Sequence, residues 1–338
     1  MKAALFEKPH ELNIVSRPLR ALLKDEVLVK VDSCGVCGTD VHILDGTSRS
    51  TPPVVLGHEY WGVVEDTGPE TGDIREGQKV AIDPNISCGT CYYCRRGLVH
   101  LCANLKALGV DIDGGMAERC IVPAGQLHVL PDTIKPEAGA FVEPISCALH
   151  GIDRAGIRAG DSVVILGGGT IGLIMLQLVR SAGAARAIVV EPLVHKQQVA
   201  RTLGADHVID PSHTDAKTAI LDLTHVGADV VIECVGSPRT MQLAIEVARR
   251  GGVVEFFGVC PVGETIPIEP NQVYFKELTI TGSYVNPHTF ARAIAMLESG
   301  KITVDKFKID RFPLEGAREA IELQRRGGTL KSIIQPNA

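Results

Sequence analysis

Val163-Val164-Ile165-Leu166-Gly167-Gly168-Gly169-Thr170-Ile171-Gly172 reads as a buried strand, a glycine turn and the opening of a helix. The glycines follow G-x-G-x-x-G in the context the pattern needs, after a strand and before a helix. Gly167 permits the tight turn, Gly169 lets backbone approach a pyrophosphate, and Gly172 lets the helix lie close on the strand. Phosphates then sit at the helix N-terminus, where free N–H groups and the dipole favour anions. Glu191 closes the next apolar run, about 20 residues further on. Its carboxylate would accept from ribose hydroxyls and repel a 2′-phosphate. Pro192 follows where a 2′-phosphate site often carries a basic residue. A dinucleotide is implied, and NAD in preference to NADP.

Strands and helices alternate from about Asp161 onward. The periodicity predicts strands over Ser162–Leu166, Ala187–Val190, Val208–Ile209, Val230–Val235, Val253–Gly258 and Leu278–Gly282. Helices are predicted over Thr170–Ala182, Leu193–Leu203 and Arg239–Arg249. Alternating βα units make an α/β fold with a doubly wound parallel sheet, here spanning 146–284. The first 145 residues differ. Short alternating runs (Glu26–Val31, Gly62–Glu65, Gln78–Ile82) are separated by Gly, Pro and Asp, which marks a β-rich domain. After 285 come two amphipathic helices, Pro287–Ser299 and Leu314–Arg325, and a last run Leu330–Ile334. The pairs Arg249-Arg250 and Arg325-Arg326 read as helix-end cations, favourable near the negative end of the dipole.

The composition narrows the class. A chain of 338 residues, 45% hydrophobic and 22% charged, has the make-up of an ordinary globular protein of about two domains. A net charge of −6 and the lack of a basic run argue against nucleic acid. The start, MKAALFEKPH, has no apolar signal core. The uncharged run Ser162–Val179 is interrupted by glycines and reads as strand, turn and helix, so no membrane span is expected. Ten cysteines without a leader point to reduced thiols, several of them ligands, and to the cytoplasm.

Two groups of residues carry metal chemistry. Cys88, Cys91, Cys94 and Cys102 make C-x2-C-x2-C-x7-C, a spacing that turns consecutive thiolates onto one ion. An iron–sulfur cluster uses a related run. Nothing else in the chain suggests electron transfer, so the loop reads as a closed structural zinc site. The second group lies in CGVCGTDVHILDG and GHEYWG, between Cys34 and Gly62. Cys37, His58 and Glu59 offer sulfur, nitrogen and oxygen, the three-ligand set of a catalytic zinc with one open position. Cys34 and Cys37 also spell C-x-x-C, a possible redox pair; with Cys37 taken by the metal, Cys34 is expected to be a small buried residue. Trp61 is expected to pack behind the site.

Three motifs in this order resemble the zinc-dependent medium-chain dehydrogenases, the alcohol, polyol and threonine dehydrogenase family. The likeness covers essentially the whole chain. It is closest to the polyol (sorbitol) and threonine branches, on the strength of Gly57-His58-Glu59 and of Glu143 in Phe141-Val142-Glu143-Pro144-Ile145-Ser146. The resemblance implies a GroES-like β-barrel catalytic domain over 1–145, to which 285–338 returns, and a Rossmann domain over 146–284. It places Cys37, His58 and Glu59 on the catalytic zinc and Glu143 on a position that ligates directly or holds the zinc water. Thr39 and His42 match the proton relay. Ile171, Glu191, Lys196, Val259, Ser283 and Tyr284 match NAD contacts. Two zinc ions per subunit and a homo-oligomer, dimer or tetramer, paired through the edge strand Leu278–Gly282, are implied too.

The chemistry implied is hydride transfer from a secondary alcohol, held as alkoxide on zinc, to NAD. The proton leaves through Thr39, the nicotinamide ribose and His42. A polyol or sugar alcohol is the expected substrate. An amino alcohol such as L-threonine is the alternative, and a non-catalytic NAD- and zinc-binding protein a remote one. Two positions depart from the polyol pattern: Ile43, where an aromatic often follows the relay histidine, and Ser283, where an arginine often stands. Threonine dehydrogenases usually carry Asp-Pro in place of Glu143-Pro144.

Overall fold

Ser162–Leu166 is a strand and Thr170–Ser181 a helix in the computed structural model, which describes residues 1–338. Gly167 between them holds φ at +101°, a region that residues with a side chain avoid. The sheet runs in the order His207–Ile209, Arg186–Val190, Ser162–Leu166, Ala228–Glu233, Ala248–Phe256, Thr279–Gly282, and every pairing is parallel. The strand order reverses beside Ser162–Leu166, the switch point where such sheets take their ligands. Helices cover both faces, which is why Val163, Val164, Ile165 and Leu166 are all buried and the strand is apolar throughout.

Boundaries shift from expectation where tertiary contacts intervene. The helix expected over Arg239–Arg249 is Pro238–Val247, and Arg249 and Arg250 open the strand Ala248–Phe256. They are not helix-end cations. Arg249 Nε donates to Asp229 Oδ1 at 2.6 Å on the neighbouring strand. Five helices escaped the periodicity, three of them short (Gly38–Leu44, Pro136–Gly139 and Pro270–Lys276) and two longer. Ala216–Thr224 starts at Asp215, whose carboxylate accepts from Thr218 N. Val142–Ala155 carries Pro144 in its first turn, where no N–H is needed. The helix expected from Pro287 begins at Phe290, because Val285 and His288 adopt φ of +49° and +57° and bend the chain first.

The β-rich part is built on one long strand. Glu26–Gly35 pairs with Glu59–Thr67, Arg119–Pro123 and Lys331–Gln335, all antiparallel. Lys79–Ile82 and Leu127–Val129 extend the sheet on one side, and Ile309–Pro313 on the other. A separate three-stranded sheet holds Glu11–Ser16, Lys2–Lys8 and Val54–Val55. Phe6, Val29, Leu56, Tyr60, Val80 and Ile334 lie in the core that joins them.

The chain divides into two units. One is Met1–Ser146 with Pro287–Ser299 and Lys308–Ala338, the other Cys147–Asn286 with Gly300–Phe307. Residues 300–307 join the second unit, where Thr303 N donates to Gln177 Oε1 at 2.9 Å. No helix is long and apolar enough to cross a membrane.

Glu255, on the strand Ala248–Phe256, is fully buried and neither carboxylate oxygen has a hydrogen-bond partner. Burial pushes its pKa from 4.5 up to about 7, against the pull of Ser283 and Arg154. The folded state thus holds a proton that the unfolded chain releases above 4.5, so stability should fall as pH rises from about 4.5 to about 7 and level off beyond. Glu255→Gln should remove that slope in urea titrations run at several pH values. A variant with the parent's slope would assign the pH dependence elsewhere.

Candidate functional site

Cys37 caps the short helix Gly38–Leu44, and its N–H donates to Asp40 Oδ2 at 2.8 Å. Glu59 opens the strand Glu59–Thr67, which pairs it opposite Gly35, and His58 stands just before it. Gly57 turns the chain at φ +95°, and a Cβ there would strike Cys34 Sγ at 2.5 Å. These contacts bring one ligand atom each from Cys37, His58 and Glu59 within 4.8 Å of one another. His58 Nδ1 faces Asp40 Oδ1 at 3.7 Å, and neither atom has a hydrogen-bond partner. The carboxylate lies on one side of the ring at charge-pair range, beyond hydrogen-bond reach, and leaves the other nitrogen for a ligand.

The electrostatics suit a cation. Burial would push the His58 imidazole down, yet Asp40, Cys37 and Glu143 hold it well above its ordinary value. A divalent ion could take the proton's place, since a metal-bound imidazole must be neutral. One thiol, one imidazole and one carboxylate are a donor set that fits zinc with an open position. Glu143 is buried in the first turn of Val142–Ala155 but stands outside the three-atom cluster. Thr39 Oγ1 lies 3.6 Å from Cys37 Sγ, and His42 Nδ1 lies 3.4 Å from Thr47 Oγ1; both residues are half-buried on the same short helix. Cys34 and Trp61 are buried, as expected of them, and Trp61 Nε1 donates to Ser33 Oγ at 2.7 Å.

Lys331 went unnoticed in the sequence. Its ammonium makes a buried ion pair with Glu59. Burial would push it down, but Glu59, Cys37 and Glu143 keep its pKa raised. In Leu330–Ile334 a lysine reads as the solvent side of a strand; only the fold turns it inward.

The four-cysteine loop is a separate lobe. Ligand atoms of Cys88, Cys91, Cys94 and Cys102 lie within 4.8 Å of one another. The lobe has no buried residue in its two short 3-10 turns, Cys94–Arg96 and Val99–Leu101, and is closed by the pairing of Asn85–Ile86 with Lys106–Ala107. Backbone N–H groups of Thr90 and Cys91 lower the Cys88 thiol, and those of Cys94 and Ala103 lower Cys91. Burial and the neighbouring Cys91, Cys102 and Cys88 push the Cys94 thiol up to about 11. Four clustered thiols without a supporting core are the donor set of a structural metal, which would bind them as thiolates.

The second unit carries a cleft of about 1160 Å³ lined by Gly167, Gly169, Glu191, Lys196 and Arg239. A Cβ on Gly172 would lie 1.8 Å from Gly167 O, whereas one on Gly169 would meet nothing within 4 Å. Gly172 is thus required by packing, and Gly169 leaves open space. Glu191 Oε2 accepts from Gly168 N at 2.8 Å and Oε1 from Leu193 N at 2.9 Å, so the acid is locked against the glycine turn. Ile171 follows in the first turn of the helix. Val259, Ser283 and Tyr284 do not line the cleft; Val259 and Tyr284 are exposed. Glu233 was missed. Buried at the end of its strand, it accepts from Val235 N and Thr240 Oγ1 at 2.8 Å and so fixes the loop that packs on Gly167. An acid ending an apolar strand before Cys234-Val235-Gly236 was the available signal.

Known proteins are similar to this chain over its whole length. The model of the alcohol dehydrogenase GroES-like domain matches residues 23–132, and that of the zinc-binding dehydrogenases matches 170–299. D-arabinitol dehydrogenase 1 of Uromyces fabae is 33% identical over 341 residues, covering 100% of this chain and 97% of its own. L-threonine 3-dehydrogenase of Pyrococcus horikoshii is 36% identical, covering 91% and 90%. A Sinorhizobium meliloti 1021 protein assigned as a zinc-binding dehydrogenase, solved bound to NADP, superposes with a TM-score of 0.96 at 42% identity over 99% of both chains. Full-length identity of this order, joined to the doubly wound sheet and the GroES-like domain, places the chain in the zinc-dependent medium-chain alcohol dehydrogenase family.

Proposed function

We propose that this dehydrogenase oxidises a secondary alcohol, a polyol or sugar alcohol, with NAD, at a zinc held by Cys37, His58 and Glu59. The observation that carries the proposal is the convergence of three unlike ligand atoms within 4.8 Å. Zinc, when bound, supplies Lewis acidity of the kind that lowers the pKa of bound water from about 15.7 to about 7. Asp40 and Glu143 stand near enough for their charges to act on His58. Thr39 Oγ1, beside Cys37, would accept the substrate hydroxyl's proton and pass its own through the nicotinamide ribose to His42 and solvent, while the hydride goes to NAD. In this reading Lys196 in the cleft and Ile171 at the helix start contact NAD, and Gly172 seats the helix on the strand. Val259, Ser283 and Tyr284, outside the cleft, contact the cofactor where it extends beyond it. A second zinc in the four-cysteine lobe does no chemistry. Arabinitol and sorbitol dehydrogenases among the relatives support the polyol. The threonine dehydrogenases, with Ser283 in place of an arginine, support L-threonine as the second reading.

NAD is favoured by Glu191, whose fixed carboxylate would face a 2′-phosphate with like charge. The NADP of the S. meliloti structure favours the other cofactor. Initial rates with polyols, simple secondary alcohols and L-threonine, each with NAD and NADP, separate these readings. Glu191→Ala should weaken NAD and reduce the preference over NADP by about tenfold or more, in keeping with loss of a charge-assisted contact. NADP as the better cofactor of the parent would overturn the reading of Glu191. The strand Thr279–Gly282 has a partner on one side only, an edge suited to pairing with a second copy; we expect a dimer or tetramer. None of the ten cysteines is paired in a disulfide, in keeping with the cytoplasmic location we infer.

A further inference from the structure

Glu59 has two claims on one carboxylate. It is a member of the three-atom metal cluster, and it is the partner of Lys331, the two side chains 4% and 3% exposed. The strands that carry them do not pair with each other. Both flank Glu26–Gly35, with Gly35 opposite Glu59 on one side and opposite Ile333 on the other. The pair closes over the backbone of Gly35, where a Cβ would stand 2.6 Å from Glu59 Oε2 and 2.7 Å from Lys331 Cε. Any side chain at Gly35 would therefore intrude on the pair. The slot is a built feature of three adjacent strands.

Charge accounting gives the pair a role. In the metal-free protein the ammonium of Lys331 compensates a buried Glu59, and a buried carboxylate without a cation is strongly unfavourable. A divalent ion arriving at Cys37, His58 and Glu59 meets a carboxylate already engaged and a like charge beside it. We propose that Lys331 is a resident competitor of the metal: it holds Glu59 when the site is empty and weakens the metal's grip when the site is filled. The inference rests on reading the Cys37 cluster as the catalytic metal site. Lys331 acts through Glu59, as a positioning residue for a metal ligand.

The test reads metal release, with the protein purified zinc-loaded. A chromophoric chelator reports zinc leaving the Cys37 site, and Cys37→Ser marks the phase that belongs to the four-cysteine lobe. Lys331→Met should slow release from the Cys37 site by about tenfold or more, a modest fraction of a close Coulomb interaction at an effective dielectric near 20. Lys331→Arg, which keeps the charge, should release at nearly the parent rate. With cobalt in place of zinc, Lys331→Met should shift the visible d–d bands, because Glu59 is freed to bind fully. A lysine that merely braces the site predicts the opposite sign, faster release from Lys331→Met. Faster or unchanged release overturns the proposal, as does an arginine variant that behaves like methionine. Should the methionine variant not fold, Lys331→Gln repeats the test with a neutral donor for Glu59. A parent protein that holds zinc in the lobe alone would overturn the metal reading itself, a result distinct from all of these.

Discussion

Thr39→Val should lower kcat for alcohol oxidation by about 10²–10⁴-fold, the usual span for losing a positioned proton-transfer group. Valine keeps the shape and removes only the hydroxyl. Thr39 sits in the first turn of Gly38–Leu44, its Oγ1 3.6 Å from Cys37 Sγ, yet it is no member of the ligand cluster. Zinc content should therefore stay at the parent level. Helix propensity hardly changes between threonine and valine, so the fold should be indifferent as well. Steady-state kinetics, zinc analysis and NAD titration on one preparation make the check. A fall in kcat with zinc and NAD binding retained fits the relay; turnover at the parent rate removes Thr39 from it.

Gly172→Ala is the second change expected to be severe, this time in the fold. In an ordinary helix alanine is better than glycine by about 1 kcal/mol. Here the added Cβ would stand 1.8 Å from Gly167 O. The turn cannot easily retreat, because Gly167 N donates to Val190 O at 2.9 Å and Gly168 N to Glu191 Oε2 at 2.8 Å. Overpacking against fixed atoms costs about 1–3 kcal/mol and sometimes more, out of a total stability of about 5–15 kcal/mol. Thermal unfolding should move down by a few degrees, about 2–4 °C for each kcal/mol lost, with NAD affinity lost in parallel. Gly169→Ala is the control. Its Cβ meets no protein atom within 4 Å, so the variant should melt like the parent and lose affinity for the dinucleotide only. Equal melting of Gly172→Ala and Gly169→Ala would contradict the packing argument.

How well the sequence reports the fold depends on how local each cause is. The parallel sheet was legible because strands covered on both faces are continuous apolar runs, and Ser162–Leu166 was placed to the residue. Arg249 was misplaced because its structure depends on Asp229, 20 positions away in the chain. In the β-rich unit, Ser33-Cys34-Gly35 does not look like a strand, yet it pairs with Glu59, Tyr60 and Trp61. That extension sets the candidate metal cluster, since it brings the end of one strand beside the start of the other. The four-cysteine lobe was legible from spacing alone, its geometry being nearly local. Lys331, Asp40 and Glu233 were not, because each acts on a partner fixed by tertiary structure.

Zinc content measured together with NADH formation, on the parent and on Cys37→Ser, tests whether the Cys37–His58–Glu59 cluster is the catalytic centre. Two ligand clusters predict two zinc ions per chain in the parent and turnover with an alcohol from the panel above. Cys37→Ser should keep the zinc of the four-cysteine lobe, lose the other, and form no NADH. A Cys37→Ser protein that retains both ions, or that turns over at the parent rate, would contradict the assignment.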